Sequence, residues 1–170
     1  MGSSLSLFWG SANDNVVDPA TGLTGRQKKL VQSTWALCRK DPIASGVAIM
    51  TAFFKAHPDY HQDFAGFKDV PLDELPGNKK FQAHCLAVVT TLSNVIDSMN
   101  DTELLAANLV SIGEKHNKRG QTKQQFLDLK EVMMEVLRQK LGAKFTAETS
   151  EAWNKTLDAA YSIIFSAYST

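Results

Sequence analysis

The chain has 170 residues, and its 18 Lys plus Arg balance 18 Asp plus Glu, so the formal net charge is zero. Hydrophobic residues make up 44% and charged residues 21%, the proportions of an ordinary globular protein with core enough for one domain. The balanced charge builds no basic field, which excludes nucleic acid as the main partner. No apolar run approaches the ~18 residues of a membrane span, and the start lacks the basic and long apolar regions of a secretory signal.

Residues 1–23 are rich in Ser, Asn, Asp and Gly with little periodicity, and read as a flexible extension. Residues 24–170 read as a single helical domain, with no strand-like alternation closed by Asn-Gly or Asp-Gly turns. The first helix carries Leu30, Trp35, Leu37 and Cys38 and ends near Arg39-Lys40, where cations meet the negative end of the dipole. Asp41-Pro42 then reads as an N-cap followed by proline at the first helical position. That second helix runs to about Ala56, and His57-Pro58 stops it, because the residue before proline is pushed out of the helical region. From Asp59 to Asn78 two prolines and two glycines leave room only for short helical turns.

The longest helical run is expected from about Asn78 to Met99, with Phe81, Cys85, Val88, Val89 and Leu92 at helical spacing. Asp101-Thr102 caps a fourth helix carrying Leu105, Leu109, Ile112 and His116, and Gly120 ends it. Thr122 opens a fifth, with Phe126, Leu129, Met133, Val136 and Leu137 inward, and Gly142 ends that one. Thr146 caps the last, with Trp153, Leu157, Tyr161, Ile164 and Phe165 inward. The fold class is therefore all-α: six substantial helices and one or two short ones, joined mostly by short connections. Cys38 and Cys85 match no CxxC or zinc spacing and read as small, reduced core residues.

No phosphate loop, nucleophile elbow, HExxH or EF-hand pattern is present. Four histidines are: His57, His61, His84 and His116. His116 continues the apolar stripe of the fourth helix, and His84 sits between Phe81 and Val88 on the inward side of the third. A buried imidazole left unpaired costs roughly 2 kcal/mol or more, so each needs an internal partner. Either the two are separately satisfied core residues, or they face one another across a cofactor cavity. His57 and His61, beside the helix-breaking proline, read as surface or corner residues.

Several residues in order resemble one known family. Trp35 lies in the first helix, and Gly46 in the second stands at the position where the resembled family crosses that helix with the third. Phe53-Phe54-Lys55-Ala56-His57-Pro58 closes the second helix, with Phe64 six residues further on and Phe67 after it. Phe81-Gln82-Ala83-His84 with Val88, then Leu109 and His116-Asn117-Lys118-Arg119-Gly120, then Phe126 and Trp153, complete the series. Over residues 24–170 the chain resembles an invertebrate globin.

The resemblance implies a globin fold of six to eight helices packed around a pocket for haem b, iron protoporphyrin IX. It makes His116 the proximal iron ligand. It makes His84 the distal histidine, either stabilising bound ligand or serving as a sixth iron ligand. Phe64, Phe67, Val88, Leu109, Ile112, Phe126, Leu129 and Met133 become haem-lining residues, and Met50, His84 and Val88 surround the ligand. Lys118 or Arg119 is placed to pair with a haem propionate. Cys85 stands where the family often has Gly or Ala, so the crossing at Gly46 is expected to be slightly wider. Met50 donates no hydrogen bond, where the family often has Leu, Phe or Tyr.

The implied function is reversible binding of O2, with CO and NO as further diatomic ligands, in storage or transport and without catalysis. The alternative is a bis-histidine protein with redox, NO dioxygenase, nitrite reductase or peroxidase-like chemistry. A homodimer is compatible with the zero net charge. Met1-Gly2-Ser3-Ser4-Leu5-Ser6 fits the N-myristoylation pattern at Gly2, with Leu7, Phe8 and Trp9 the only candidate second membrane signal. The expected location is cytoplasmic, or peripheral to a membrane only if Gly2 is acylated.

Overall fold

The computed structural model describes residues 12–168; Gly2, Leu7, Phe8 and Trp9 lie outside them. Among the described residues there are six α-helices, and no strand is formed. They are α1 (Gly25–Cys38), α2 (Pro42–Ala56), α3 (Lys79–Asp97), α4 (Thr102–Lys118), α5 (Lys123–Leu141) and α6 (Ala147–Ser166). Each starts where its sequence signal places it. Thr24 and Gln27, and likewise Thr122 and Gln125, form reciprocal capping boxes. The side chains of Asp41, Asn78, Asp101 and Thr146 each accept a bond from a backbone N–H of the first turn. The segment after Pro58 holds only 3-10 turns, at Pro58–Asp63 and Leu75–Gly77. The longest helix is α6 with 20 residues; α3 has 19. The turn before α6 adds stability of position by hydrogen-bonding Thr149 to the Lys144 carbonyl.

Two layers of packing place the functional region. α2 packs mainly on α3, and α4 mainly on α6. The centre of the molecule is a cluster around Trp35 and Trp153, whose rings meet edge to face at 5.9 Å. Both indole N–H groups are satisfied: Trp35 donates to Ser93 Oγ at 2.9 Å and Trp153 to Thr34 Oγ1 at 3.0 Å. A second cluster gathers Phe53, Phe54, Phe67 and Phe81 between α2, α3 and the irregular segment. A third joins α4, α5 and α6 through Leu109, Phe126, Tyr161 and Ile164.

The α2–α3 crossing is made possible by Gly46. A Cβ at that position would overlap the Cys85 carbonyl oxygen and stand 2.9 Å from Cys85 Cβ. Cys85 is fully buried there as a free thiol, and burial pushes its pKa up to about 12. Gly46→Ala is expected to destabilise the apoprotein by about 1–3 kcal/mol, since the backbone must move to admit a methyl group. Urea unfolding reads the effect, and an unchanged midpoint would mean the crossing widens freely.

The described part of the expected extension packs on the helical domain. Residues 12–23 form a strap: a 3-10 turn at Ala12–Asn15, an isolated antiparallel bridge between Val17 and Thr24, and Leu23 only 1% exposed in the central cluster. Lys28 clamps the strap. Its Nζ lies 2.5 Å from Asp18 Oδ2 and donates to the Met99 carbonyl at 3.0 Å. The Lys28–Asp18 bond, with the Ala20 N–H, holds the Asp18 carboxyl below its ordinary value of 3.8. A depressed carboxylate pKa stabilises the fold above the unfolded value, and this contribution is lost as pH falls through the lower folded value. Asp18→Asn is therefore expected to make the strap more sensitive to limited proteolysis at neutral pH. The difference from wild type should vanish in strong acid; equal cleavage rates at neutral pH would show that Leu23 alone anchors the strap.

Candidate functional site

α4 carries His116 near its C-terminal end, and α3 carries His84 in its second turn. Both rings line one cavity with Met50, Phe53, Phe64, Phe126 and Leu129. The cleft measures about 600 Å³ counting its open mouth. Its walls are apolar, and its mouth is polar, made by Arg119, Gln121 and Gln125.

His116 is oriented by its own helix. Its Nδ1 lies 2.8 Å from the Ile112 carbonyl one turn earlier. A carbonyl only accepts, so Nδ1 carries the proton and Nε2 keeps its lone pair. Phe126 braces the ring edge to face at 5.1 Å. Burial pushes the His116 pKa below the ordinary histidine value; the Ile112 bond opposes the shift, and the nearby Arg119 and Lys115 charges favour it.

His84 is held by apolar contacts instead. The Phe64 ring meets it edge to face at 5.1 Å, and Phe67 lies at 5.7 Å. Burial lowers its pKa, and Arg119 and His116 lower it further. Both are thus neutral in neutral solution, which is the protonation state in which a ring nitrogen can bind a metal.

The C-terminal end of α4 sets the cleft mouth. Gly120, at φ +81°, turns the chain back in a Schellman arrangement. Gln121 N–H donates to the His116 carbonyl at 3.1 Å, and Gly120 N–H to the Asn117 carbonyl at 3.0 Å. Arg119 and Gln121 come to the mouth in consequence, whereas Lys118 is exposed outside it. Gln121 Oε1 is buried there without a hydrogen-bond partner.

Of the residues expected around the pocket, Met50, Phe64, His84, His116, Arg119, Phe126 and Leu129 line this cavity. The others lie behind or beside it. Phe67 stacks on Phe64 at 5.5 Å and backs the wall. Val88, one turn beyond His84, packs half-buried on the phenylalanine cluster. Ile112 lines an adjoining cleft between α3 and α4, about 790 Å³ counting its open mouth, which shares His116 and Arg119 with the first. Leu109 is buried against α6, and Met133 belongs to the tryptophan cluster.

Phe53, Gln121 and Gln125 were not expected on the wall. Phe53 was legible as the i+3 neighbour of Met50, whereas the two glutamines reach the mouth only through the turn at Gly120. His61 also differs from a surface position. It is 4% exposed, stacked against Phe67 at 6.0 Å, with Nε2 2.9 Å from the Phe67 carbonyl. His57 is half-buried at the corner, stacked on Tyr60 at 5.2 Å.

An all-helical domain with two neutral histidines on separate helices, facing one apolar cleft, defines a small-ligand-binding protein of the globin kind. The globin family profile matches residues 47–164, and the chain belongs to the globin family. A globin of Nerita albicilla is 32% identical over 148 residues, covering 87% of this chain and 94% of its own. Cytoglobin-2 of Danio rerio is 28% identical, covering 86% and 83%. A hexa-coordinate haemoglobin of Drosophila melanogaster superposes with a TM-score of 0.79 at 30% identity, covering 84% of this chain and 94% of its own. A hexacoordinated haem protein from an anhydrobiotic tardigrade shares the fold, with a TM-score of 0.82 at 21% identity, covering 89% and 98%.

Proposed function

We propose that the chain holds haem b through His116 and binds O2, and also CO and NO, reversibly on the side of His84. The observation that carries this reading is the His116 Nδ1 bond to the Ile112 carbonyl, which leaves the Nε2 lone pair for a metal in the cleft. The cleft fits such a group. Among the described residues no three His, Cys, Asp or Glu side chains gather to hold a bare metal ion, so a metal here must bring its remaining ligands with it, as a tetrapyrrole does. Phe53, Phe64, Phe126 and Leu129 suit the faces and inner edge of a flat apolar ring. Arg119, a cation at the mouth, suits a carboxylate at the open edge.

When bound, haem supplies the iron at which a diatomic gas binds. The chain's own residues do the rest. His116 would hold the iron through Nε2, and the phenylalanine walls would keep water from it. His84 can donate an N–H to a polarised ligand, a task that Met50 and Phe53 cannot share. Cys85, buried and held as a thiol, offers no covalent attachment, consistent with a noncovalent haem b.

A second reading is favoured by the two imidazoles lining one cavity, and by the hexa-coordinate character of the Drosophila relative. In it His84 occupies the sixth position at rest, and the protein serves redox or NO, nitrite or peroxide chemistry. The visible spectrum of the dithionite-reduced protein separates the two. One broad band without added ligand supports reversible O2 carriage. Two sharp bands place His84 on the iron and put the second reading first. Absence of any Soret band removes both.

No helix of the described residues is long and apolar enough to cross a membrane. Membrane association is carried only by the Gly2 acylation proposal, which labelling with an alkynyl myristate tests directly.

A further inference from the structure

We infer that Gly113 is a positioning residue: by letting α4 rest directly on the α6 backbone, it sets how far His116 reaches into the cleft. The inference rests on the haem reading above. Glycine inside a helix costs roughly 1 kcal/mol relative to alanine, yet Gly113 stands in the interior of α4, one turn before His116 and next to Ile112. It is buried against the last turn of α6. A Cβ at this position would overlap the Ile164 carbonyl oxygen, lie 3.2 Å from the carbonyl carbon and stand 2.9 Å from Ala167 Cβ.

The α6 side of this contact cannot easily give way. The Ile164 carbonyl accepts the capping N–H of Ala167 at 3.2 Å. Asn117, one turn past Gly113, also reaches the Ala167 carbonyl with its amide at 3.5 Å. α4 has few other supports: it packs mainly on α6 and only lightly on α3. A side chain at 113 must therefore lift α4 off α6 by about 1 Å to regain ordinary contact near ~3.5 Å. His116 moves with the helix, because its ring is tied to the Ile112 carbonyl beside Gly113.

The lift also separates His116 from the aromatic group that braces it. Phe126 touches His116 at 5.1 Å and, on its other edges, Tyr161 at 5.4 Å and Phe165 at 5.9 Å, both on α6. Gly113 and Phe126 thus hold His116 against one common floor.

The test compares Gly113→Ala with Gly66→Ala in the full chain; at Gly66 an added Cβ meets nothing within 4 Å. Two quantities are read: the thermal midpoint of the apoprotein, and the rate at which the haem-loaded protein yields haem to an excess of scavenger apoprotein. Gly113→Ala is expected to release haem at least tenfold faster than wild type, and Gly66→Ala at the wild-type rate. A lower apoprotein midpoint with an unchanged release rate would show a merely structural glycine and overturn the inference. Where Gly113→Ala fails to fold, Ala167→Leu presses the same contact from the end of α6 and is expected to speed haem release likewise; a wild-type rate in that variant overturns the inference. A wild-type chain that takes up no haem removes the reading above together with this one, whereas haem held equally well by wild type and variants removes this one alone.

Discussion

His116→Ala is expected to purify as a folded helical protein without haem. The substitution removes the one ring nitrogen that the helix holds both deprotonated and aimed at the cleft, since Ile112 occupies the other. It also withdraws the ring that Phe126 packs against. What remains around the cleft is Met50, Phe53, Phe64, Phe126, Leu129, the polar mouth and His84, whose ring is held by Phe64 and Phe67 and not by a hydrogen bond from its own helix, so the one nitrogen oriented for a metal is lost. The ratio of Soret to protein absorbance should fall to near zero while the far-ultraviolet circular dichroism stays helical. A variant that copurifies with full haem would contradict the assignment of His116. Free imidazole added to His116→Gly should restore a Soret band, because the ligand is then supplied without its tether.

The second large effect is expected at His84. His84→Leu keeps the volume and loses the N–H, in a pocket where Met50, Phe53 and Phe64 offer no replacement donor. A hydrogen bond to a charge-bearing partner contributes ~1.5–3 kcal/mol, and 1.4 kcal/mol is tenfold in rate. O2 release should therefore accelerate by roughly 10–100-fold, with faster oxidation of the haem in air. The same variant reports on resting coordination: a two-banded reduced spectrum in wild type should become a single broad band. An unchanged O2 off-rate would mean that a group other than His84 stabilises the ligand.

Much of this architecture was legible because its signals are local. A capping residue bonds to N–H groups two or three positions away, so Asp41-Pro42, Asn78, Asp101 and the two Thr-x-x-Gln boxes announce helix starts without knowledge of the fold. The apolar stripes put His84 and His116 on inward faces for the same reason, and family resemblance supplied their pairing. What stayed hidden depends on distant partners. Lys28 bonds to Met99, 71 positions away, and Leu23 is buried near Val95, Leu105 and Thr156 of α3, α4 and α6, so residues 12–23 show no periodicity. His61 resembles a surface corner until Phe54 and Phe67 close over it. A stripe identifies the inward face of a helix but not what that face meets, which is why Leu109 and Met133 belong to core clusters and not to the cleft wall. Gly113 carries no periodic signal at all, since its role is the absence of a side chain.

The measurement that bears most directly on the central claim is a titration of the apoprotein with haemin, followed by Soret absorbance and by quenching of tryptophan emission. Trp35 and Trp153 lie in the core that borders the cleft, so a haem seated there must quench them. Saturation is expected at one haem per chain with a sharp Soret band, abolished by His116→Ala. A weak, unsaturable rise in absorbance, the same in wild type and in His116→Ala, would contradict it.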